Sequence, residues 1–472
     1  MAHKLVAQKL AQIGQSGVLR FYDDLEVAGK EKIMMQLESL DLAMIAELIE
    51  TQVKTKAAIA LPQDIQPAQA YARTPQGEQK EFYAKARARG EELLNQGKVA
   101  AFLVAGGQGT RLGYDGPKGE YPVTPVKNKP LFQVFAEQLL GRARTHGKPI
   151  PWYVMTSDAN DAASRAFFHR HGYFGYNEDD VFFFQQGMMP AFGFNGEMLL
   201  VEDDSLALSP DGHGGSLRAL YKSGALADMQ KRGIEHLSYF QVDNPLVQCI
   251  DPLFIGLHDL TGSEMSSKTV RKAAALEKVG NFCIADGRLQ VIEYSDLPEE
   301  LAKSANPDGS LRFNAGSIAI HALRVSFIDR LNAGGHLSLP WHRAEKKVPY
   351  VNAKGVTIKP EKPNAVKLEQ FVFDAIPLAE NPIVYETDRA EEFSPVKNAE
   401  GPDSPDTCRR DQVRRACRWL EAAGVTDIPK LNNEPDCNLE ISPLYAVSKD
   451  QLVAKKPRMV AIKSGQSVYV EK

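Results

Sequence analysis

The stretch 99–122 reads VAAFLVAGGQGTRLGYDGPKGEYP. It opens with an apolar run, passes through a glycine cluster, and reaches an arginine and a lysine within twelve residues of the first glycine. Ala100 to Ala105 is short, apolar and closed by glycine, which predicts a strand buried on both faces of a parallel sheet. Gly106, Gly107 and Gly109 have no Cβ, so the backbone there can lie close to a ligand and present its amides to an anion. Arg111 adds a planar, permanently charged donor fork suited to phosphate oxygens, and Lys118 adds a compact ammonium. A phosphate-rich ligand is the simplest partner.

Two glycine motifs are excluded. A dinucleotide fingerprint needs G-x-G-x-x-G, but Leu112 occupies the third glycine position after Gly107 and Gly109, and Gly113 comes one residue late. A P-loop needs G-K-[ST], and Lys118 lies between Pro117 and Gly119.

Working outward, the pattern on the C-terminal side alternates strand and helix, the signature of a parallel sheet covered on both faces. PLFQVFAEQLLGRARTHG reads as a helix, IPWYVMTS as a strand, DAASRAFFHRHGYFG as a helix and DVFFFQQG as a strand. SLRALYKSGALADMQKRG reads as one helix and HLSYFQVDN as a strand ending in acid. Beyond about 262 the segments become β-rich, with Asp286-Gly287 as a hairpin turn and FNAGSIAIHALRVSFIDRL as strand then helix. From about 385 a polar loop, a charged helix and the alternating stretch PRMVAIKSGQSVYVEK follow. On the N-terminal side, residues 3–60 carry apolar positions at helical spacing, and LPQDIQPAQAYARTPQGE reads as a connector. A helix over about 81–96 is closed by Gly97. This predicts a helical N-terminal domain over 1–98, a central α/β domain over 99–385 that carries the glycine loop, and a small C-terminal α+β domain over 386–472.

The 472 residues exceed what one core usually supports, in line with that division. A net charge of −4 leaves no electrostatic footprint for nucleic acid. The five cysteines are odd in number and form no C-x-x-C, which argues against disulfides and zinc and for a reducing compartment. With no apolar run of about 18 residues and no leader-like N-terminus, the reading is a cytoplasmic protein without membrane contact.

Asp243, at the end of a buried strand, is placed where Mg²⁺ bridging nucleotide phosphates would need a carboxylate. The following Asn244-Pro245 also marks a turn, so a turn or helix-cap role stays open on spacing alone. Here the order of motifs becomes informative. G-G-x-G-T-R-L-G followed by P-K, then FFQQGMMPAF, SPDGHGG, YFQVDNPLVQCIDP, LQVIEYSD, FNAGSI, KLEQFVFD and EEFSPVKNA resembles the eukaryotic-type UDP-sugar pyrophosphorylases, in particular their UDP-N-acetylhexosamine branch.

The resemblance implies a Rossmann-like, GT-A-like nucleotidyltransferase domain with a mixed, mainly parallel sheet. It implies UTP phosphates on Gly106, Gly107, Arg111 and Lys118, uracil on Gln186 and Gly212, and Mg²⁺ or Mn²⁺ on Asp243. It also implies sugar contacts at Gly280, Glu293 and Asn314, and a phosphate contact from Lys397. Read from residues alone, Gln186 could be a strand end, Glu293 a solvent-facing hairpin residue and Asn314 a turn residue. Phe371 and Phe373, alternating as in a strand, are assigned to packing. One departure bears on the sugar: the N-acetylhexosamine branch usually has PDG-N-GG, and this chain has His213, as in the G-H-G of the UDP-glucose branch.

The implied reaction takes UTP and a sugar 1-phosphate to UDP-sugar and pyrophosphate, with N-acetylglucosamine 1-phosphate as the sugar and glucose 1-phosphate as the alternative. A nucleotide-sugar binding protein without turnover is the reading from another class. The implied oligomeric state is a monomer or weak homo-oligomer.

Overall fold

The apolar run of the glycine stretch forms the strand Val99–Val104, with its first five residues buried. It lies between the parallel strands His236–Gln241 and Trp152–Thr156, and Val181–Gln185 extends the parallel set. A strand in that position must be apolar on both faces, and both Phe102 and Leu103, which point to opposite sides, are fully buried. Ala315–Arg324 runs antiparallel on the other side of His236–Gln241. Next to its start is the hairpin Asn281–Ala285 and Arg288–Ile292, turned by Asp286 and Gly287, both at positive φ. The ten-stranded sheet is therefore mixed and Rossmann-like: parallel from the glycine loop outward, antiparallel where the β-rich segments join.

The structure is a computed structural model that describes residues 2–55, 62, 64–335, 337–457 and 461–471. Residues 61 and 63 of the connector, and 458–460 and 472 of the closing stretch, lie outside the described residues. Contacts divide the chain into two compact units, one of Pro62–Gln185, Ala219–His336 and Ala375–Lys472, the other of Met1–Leu61, Gln186–Arg218 and Leu337–Asp374.

The larger unit holds the sheet. Its helix Gln79–Asn95 packs backbone to backbone on Pro252–Leu260, because a Cβ at Gly90 would lie 1.8 Å from the Pro252 carbonyl oxygen and one at Gly256 1.6 Å from that of Ala86. Residues 64–98 thus pack with the sheet. The C-terminal helix Pro405–Ala422 begins with Pro405 at its first turn and a reciprocal Ser404–Thr407 capping box. With Lys449–Lys455 and the parallel strands Asn438–Ile441 and Ser467–Val470, it buries Val413, Leu420, Leu439 and Leu452 in a core of their own.

In the smaller unit, helices Ala2–Gln12, Val27–Ser39 and Leu42–Leu48 direct Val6, Leu10, Ile33, Leu37 and Ile45 into a core completed by Phe192, Leu200, Val366 and Leu368. A three-stranded antiparallel sheet of His342–Lys346, Ala365–Glu369 and Phe192–Gly193 supplies part of that core. The N-terminal helices therefore share their core with segments far along the chain.

Two sequence expectations are corrected. The single helix over 216–233 is two, Gly215–Lys222 and Ala225–Arg232, because Gly224 takes φ +81° and ends the first. Phe371 and Phe373 do not alternate in a strand: pairing ends at Glu369, and Val372–Leu378 is a 3-10 helix. All five cysteines are buried and unpaired. No described helix is long and apolar enough to cross a membrane.

Candidate active site

The glycine loop leaves the sheet with its carbonyls already engaged. Asn160 Nδ2 donates to the carbonyls of Ala105 (3.0 Å) and Gly107 (3.3 Å), Ser157 Oγ donates to Gly106 (2.9 Å), and the Lys118 N–H donates to Gly107 (3.1 Å). In a trans peptide the carbonyl and the next N–H point opposite ways, so these bonds turn the amides of Gly106, Gly107 and Gln108 away from Asn160 and Ser157. Gly107 is exposed, its φ is not positive, and a Cβ there would meet nothing within 4 Å. Nothing in the chain itself demands glycine at that position.

Arg111 is exposed on the loop, whereas Lys118 is only 7% exposed. Burial pulls the Lys118 ammonium below its ordinary pKa; Asp243 opposes that shift, and the like charges of Arg111 and Lys397 add to it. These four groups are electrostatic neighbours, and among the described residues no carboxylate comes within 4 Å of Lys118 Nζ. Asp243 follows the strand His236–Gln241 and is half-buried in a turn; the helix-cap role belongs to Asp251, which accepts from the Leu253 N–H at 3.0 Å. The Val396 N–H donates to the Asp243 carbonyl at 2.7 Å. Asn244 fastens the same loop, donating to the Glu392 carbonyl at 2.7 Å and accepting from the Ser394 N–H at 3.1 Å. Among the described residues no group of three or more His, Cys, Asp or Glu is placed to cage a metal ion.

Gly280, Glu293 and Asn314 gather at one place. A Cβ at Gly280 would lie 3.4 Å from Glu293 Oε1, and the Gly280 carbonyl accepts from the Ser317 N–H. Asn314 precedes the strand Ala315–Arg324, whose antiparallel pairing with His236–Gln241 sets its start at the edge where Gln241 and Val104 end. The sugar candidates of this unit thus share a sheet edge with the glycine loop and Asp243, as ligands do in open α/β sheets.

The smaller unit brings together the remaining candidates. Gln186 Nε2 donates to the Gly212 carbonyl at 2.8 Å. Gly212 takes φ +86°, and a Cβ there would lie 2.3 Å from the Gln370 carbonyl oxygen; the Gly214 N–H donates to that same carbonyl. His213 is half-buried and stacked on Phe371 with centroids 5.2 Å apart, with Phe373 at 5.7 Å. Its Nδ1 accepts the Val372 N–H at 3.0 Å, which leaves any proton of the neutral ring on Nε2. Burial, with a smaller push from His342, takes its pKa down to about 4, so the ring is neutral at pH 7.

Sequence reasoning passed over Ser157 and Asn160, although serine and asparagine at a strand-to-helix junction are the residues that bond nearby backbone. It also passed over Asp403, whose carboxyl pKa is raised by burial and by Asp243 while Lys397 opposes the rise. The Asp403 carbonyl accepts from the Lys397 N–H at 2.7 Å. That bond closes the loop between Lys397 and Asp403.

The comparisons agree with this architecture. The family profile described as UTP–glucose-1-phosphate uridylyltransferase matches residues 45–459. The chain is 38% identical to UDP-N-acetylhexosamine pyrophosphorylase-like protein 1 of Xenopus tropicalis over 93% of its own length and 91% of that protein's. It is 41% identical to UDP-N-acetylglucosamine pyrophosphorylase of Saccharomyces cerevisiae over 71% of this chain and 72% of that one. The crystal structure of uridine diphosphate N-acetylglucosamine pyrophosphorylase from Trypanosoma brucei in complex with inhibitor shares the fold, with a TM-score of 0.82 at 24% identity, covering 96% of this chain and 95% of that chain. The chain belongs to the UTP–glucose-1-phosphate uridylyltransferase family, the UDP-sugar pyrophosphorylases.

Proposed function

We infer that this protein is a uridylyltransferase that converts UTP and N-acetylglucosamine 1-phosphate to UDP-N-acetylglucosamine and pyrophosphate. The observation that carries the reading is the cluster of Arg111, Lys118, Lys397 and Asp243 beside a loop whose amides are turned outward by Ser157 and Asn160. An oxygen of the sugar phosphate bonds to the α-phosphorus while the bond from that phosphorus to the bridging oxygen of pyrophosphate breaks. The nucleophile is already an anion, so no general base is needed; what is needed is to hold two polyanions together and neutralise their charge.

Lys118 and Lys397 lower the repulsion at the α-phosphate, and Arg111 holds the departing pyrophosphate. Gln186 and the Gly212 backbone read the uracil edge. Gly280, Glu293 and Asn314 contact the sugar. The donor set suits Mg²⁺ or Mn²⁺: among the described residues the Asp243 carboxylate makes no ion pair, and such ions take one or two carboxylates together with substrate phosphates. When bound, the ion supplies charge neutralisation on the phosphate oxygens.

Glucose 1-phosphate is the second reading, favoured by His213, whose Nε2–H is a donor where the N-acetylhexosamine branch has asparagine. The test of the enzymatic reading is UTP binding measured beside pyrophosphate release with Mg²⁺ and sugar 1-phosphate. Release that depends on the sugar phosphate supports the transferase. Tight UTP binding without release would make the protein a nucleotide-binding module.

A further inference from the structure

Within the larger unit a cavity of about 670 Å³ opens among the helix Leu131–His146, the start of Pro252–Leu260 and the C-terminal helices. Neither the glycine loop, Asp243, Asn314 nor Lys397 lines it, so it is not the substrate site described above.

Arg142 lines this cavity and is only 6% exposed. Its Nε is sealed off without a hydrogen-bond partner, and among the described residues its guanidinium makes no ion pair. Asp251, Glu91 and Asp450 attract it only from beyond ion-pairing distance, and Arg87 adds a like charge. Most carboxylates in the same wall are engaged; Glu440 Oε1, without a hydrogen-bond partner, lies 4.0 Å from Lys129 Nζ, and Asp450 reaches only Arg87. Asp251 and Glu392 both hold Lys268 at 2.7 Å, Asp388 holds Arg73 at 2.5 Å, and Glu391 takes Arg418 and Trp419. One oxygen of Glu440 accepts the N–H groups of Val126 and Lys127. Arg87 has one loose contact, to Asp450 at 3.9 Å. The result is a roomy, partly apolar chamber with an unpaired positive charge at Arg142 and a loosely paired one at Arg87. Burying an unpaired guanidinium is unfavourable unless an anion meets it.

We propose that this cavity binds an organic phosphate, a phosphate monoester with a small apolar body, and that Arg142 anchors its charge. The planar fork of arginine matches phosphate oxygens two at a time, and the adjacent Arg87 suits a dianion. Leu246, Val247, Leu439 and Val447 line the same cavity and can receive the body of the ligand. The cavity wall also runs into the catalytic cluster, because Glu392 is bonded to Asn244, the residue after Asp243.

The test is calorimetric titration of the full chain with phenyl phosphate, inorganic phosphate and benzoate. It compares the wild type with Arg142→Met, Lys118→Ala, and Ala422→Trp, which narrows the cavity from an exposed helix position. Phenyl phosphate should bind saturably to the wild type and to Lys118→Ala, and about tenfold or more weakly to Arg142→Met and Ala422→Trp. Without ligand, Arg142→Met should melt no lower than the wild type, since it removes an unpaired buried charge. Absence of saturable binding overturns the proposal. So does binding that is lost in Lys118→Ala but kept in Arg142→Met, which would place the phosphate on the glycine loop. Benzoate binding more tightly than phenyl phosphate overturns the choice of phosphate. If Arg142→Met fails to fold, unweakened binding by Ala422→Trp is itself decisive against the site.

Discussion

The backbone N–H of Val396 donates to the carbonyl of Asp243 at 2.7 Å, so the residue before Lys397 is fastened to the residue proposed to face the metal ion. Two side-chain bonds from Asn244 to Glu392 and Ser394 repeat the attachment one residue on. The backbone that carries Lys397 is therefore held beside Asp243 by these three bonds. Replacing Lys118 or Lys397 by alanine should leave this framework intact and lower turnover by roughly 10²-fold or more, if each supplies a preorganised charge to the proposed phosphate site. Steady-state pyrophosphate release, with folding verified by circular dichroism, checks this; wild-type rates in both variants would remove these lysines from the chemistry.

Behind that loop lies a buried triad. Lys268 Nζ is 2.7 Å from Asp251 Oδ2 and 2.7 Å from Glu392 Oε1, and the lysine side chain is fully buried. Lys268→Met leaves two buried carboxylates facing each other without their cation. It should cost about 3–5 kcal/mol in denaturant unfolding, a penalty typical of breaking a buried pair from one side. A loss below about 1 kcal/mol would mean that water replaces the ammonium readily, contrary to the burial.

Gly107 separates packing from ligand approach. A Cβ there meets nothing in the chain, and its φ is not positive, so Gly107→Ala should leave the melting temperature unchanged. If nucleotide phosphates approach that backbone, the added methyl displaces them, and kcat/KM for UTP should fall by roughly 10²-fold. An unchanged kcat/KM would place the phosphates elsewhere.

His213 gives a pH prediction. Its folded pKa of about 4 lies below the ordinary histidine value, so between those two pH values the unfolded chain binds more protons. The stabilisation is present in full above about 6.5 and is lost as pH falls toward 4. His213→Asn should therefore flatten the fall of stability in that window, measured by urea unfolding at several pH values. The same neutrality predicts that this substitution removes no step near pH 6.5 from the pH profile of kcat/KM; loss of such a step would mean that the ring is charged at work.

Much of this was legible in the chain because it is local. The buried strand before Gly106, the hairpin at Asp286-Gly287, the helix closed by Gly97 and the acid-ended strand before Asp243 all follow from composition and spacing over a few residues. What spacing does not carry is long-range association. Val6 and Leu10 announce an amphipathic helix, yet nothing near them says that the other half of their core is Phe192 and Val366. The packing of Gly90 on Pro252 likewise depends on backbone contact between helices more than 150 residues apart. Phe371 and Phe373 mimic strand alternation, but Gln370 spends its backbone on Asp211 and Gly214, and the chain then turns into a 3-10 helix. The bonds from Asn160 to the carbonyls of Ala105 and Gly107 join residues more than 50 positions apart, which no spacing announces.

The most direct test of uridylyl transfer is pyrophosphate release from UTP and Mg²⁺ with N-acetylglucosamine 1-phosphate and glucose 1-phosphate in parallel reactions. The account predicts rapid release with the N-acetylated sugar and a strong preference for it over glucose, with His213 tolerated at the asparagine position. Preference for glucose would make His213 the determinant of specificity, and no release with either sugar would contradict the account.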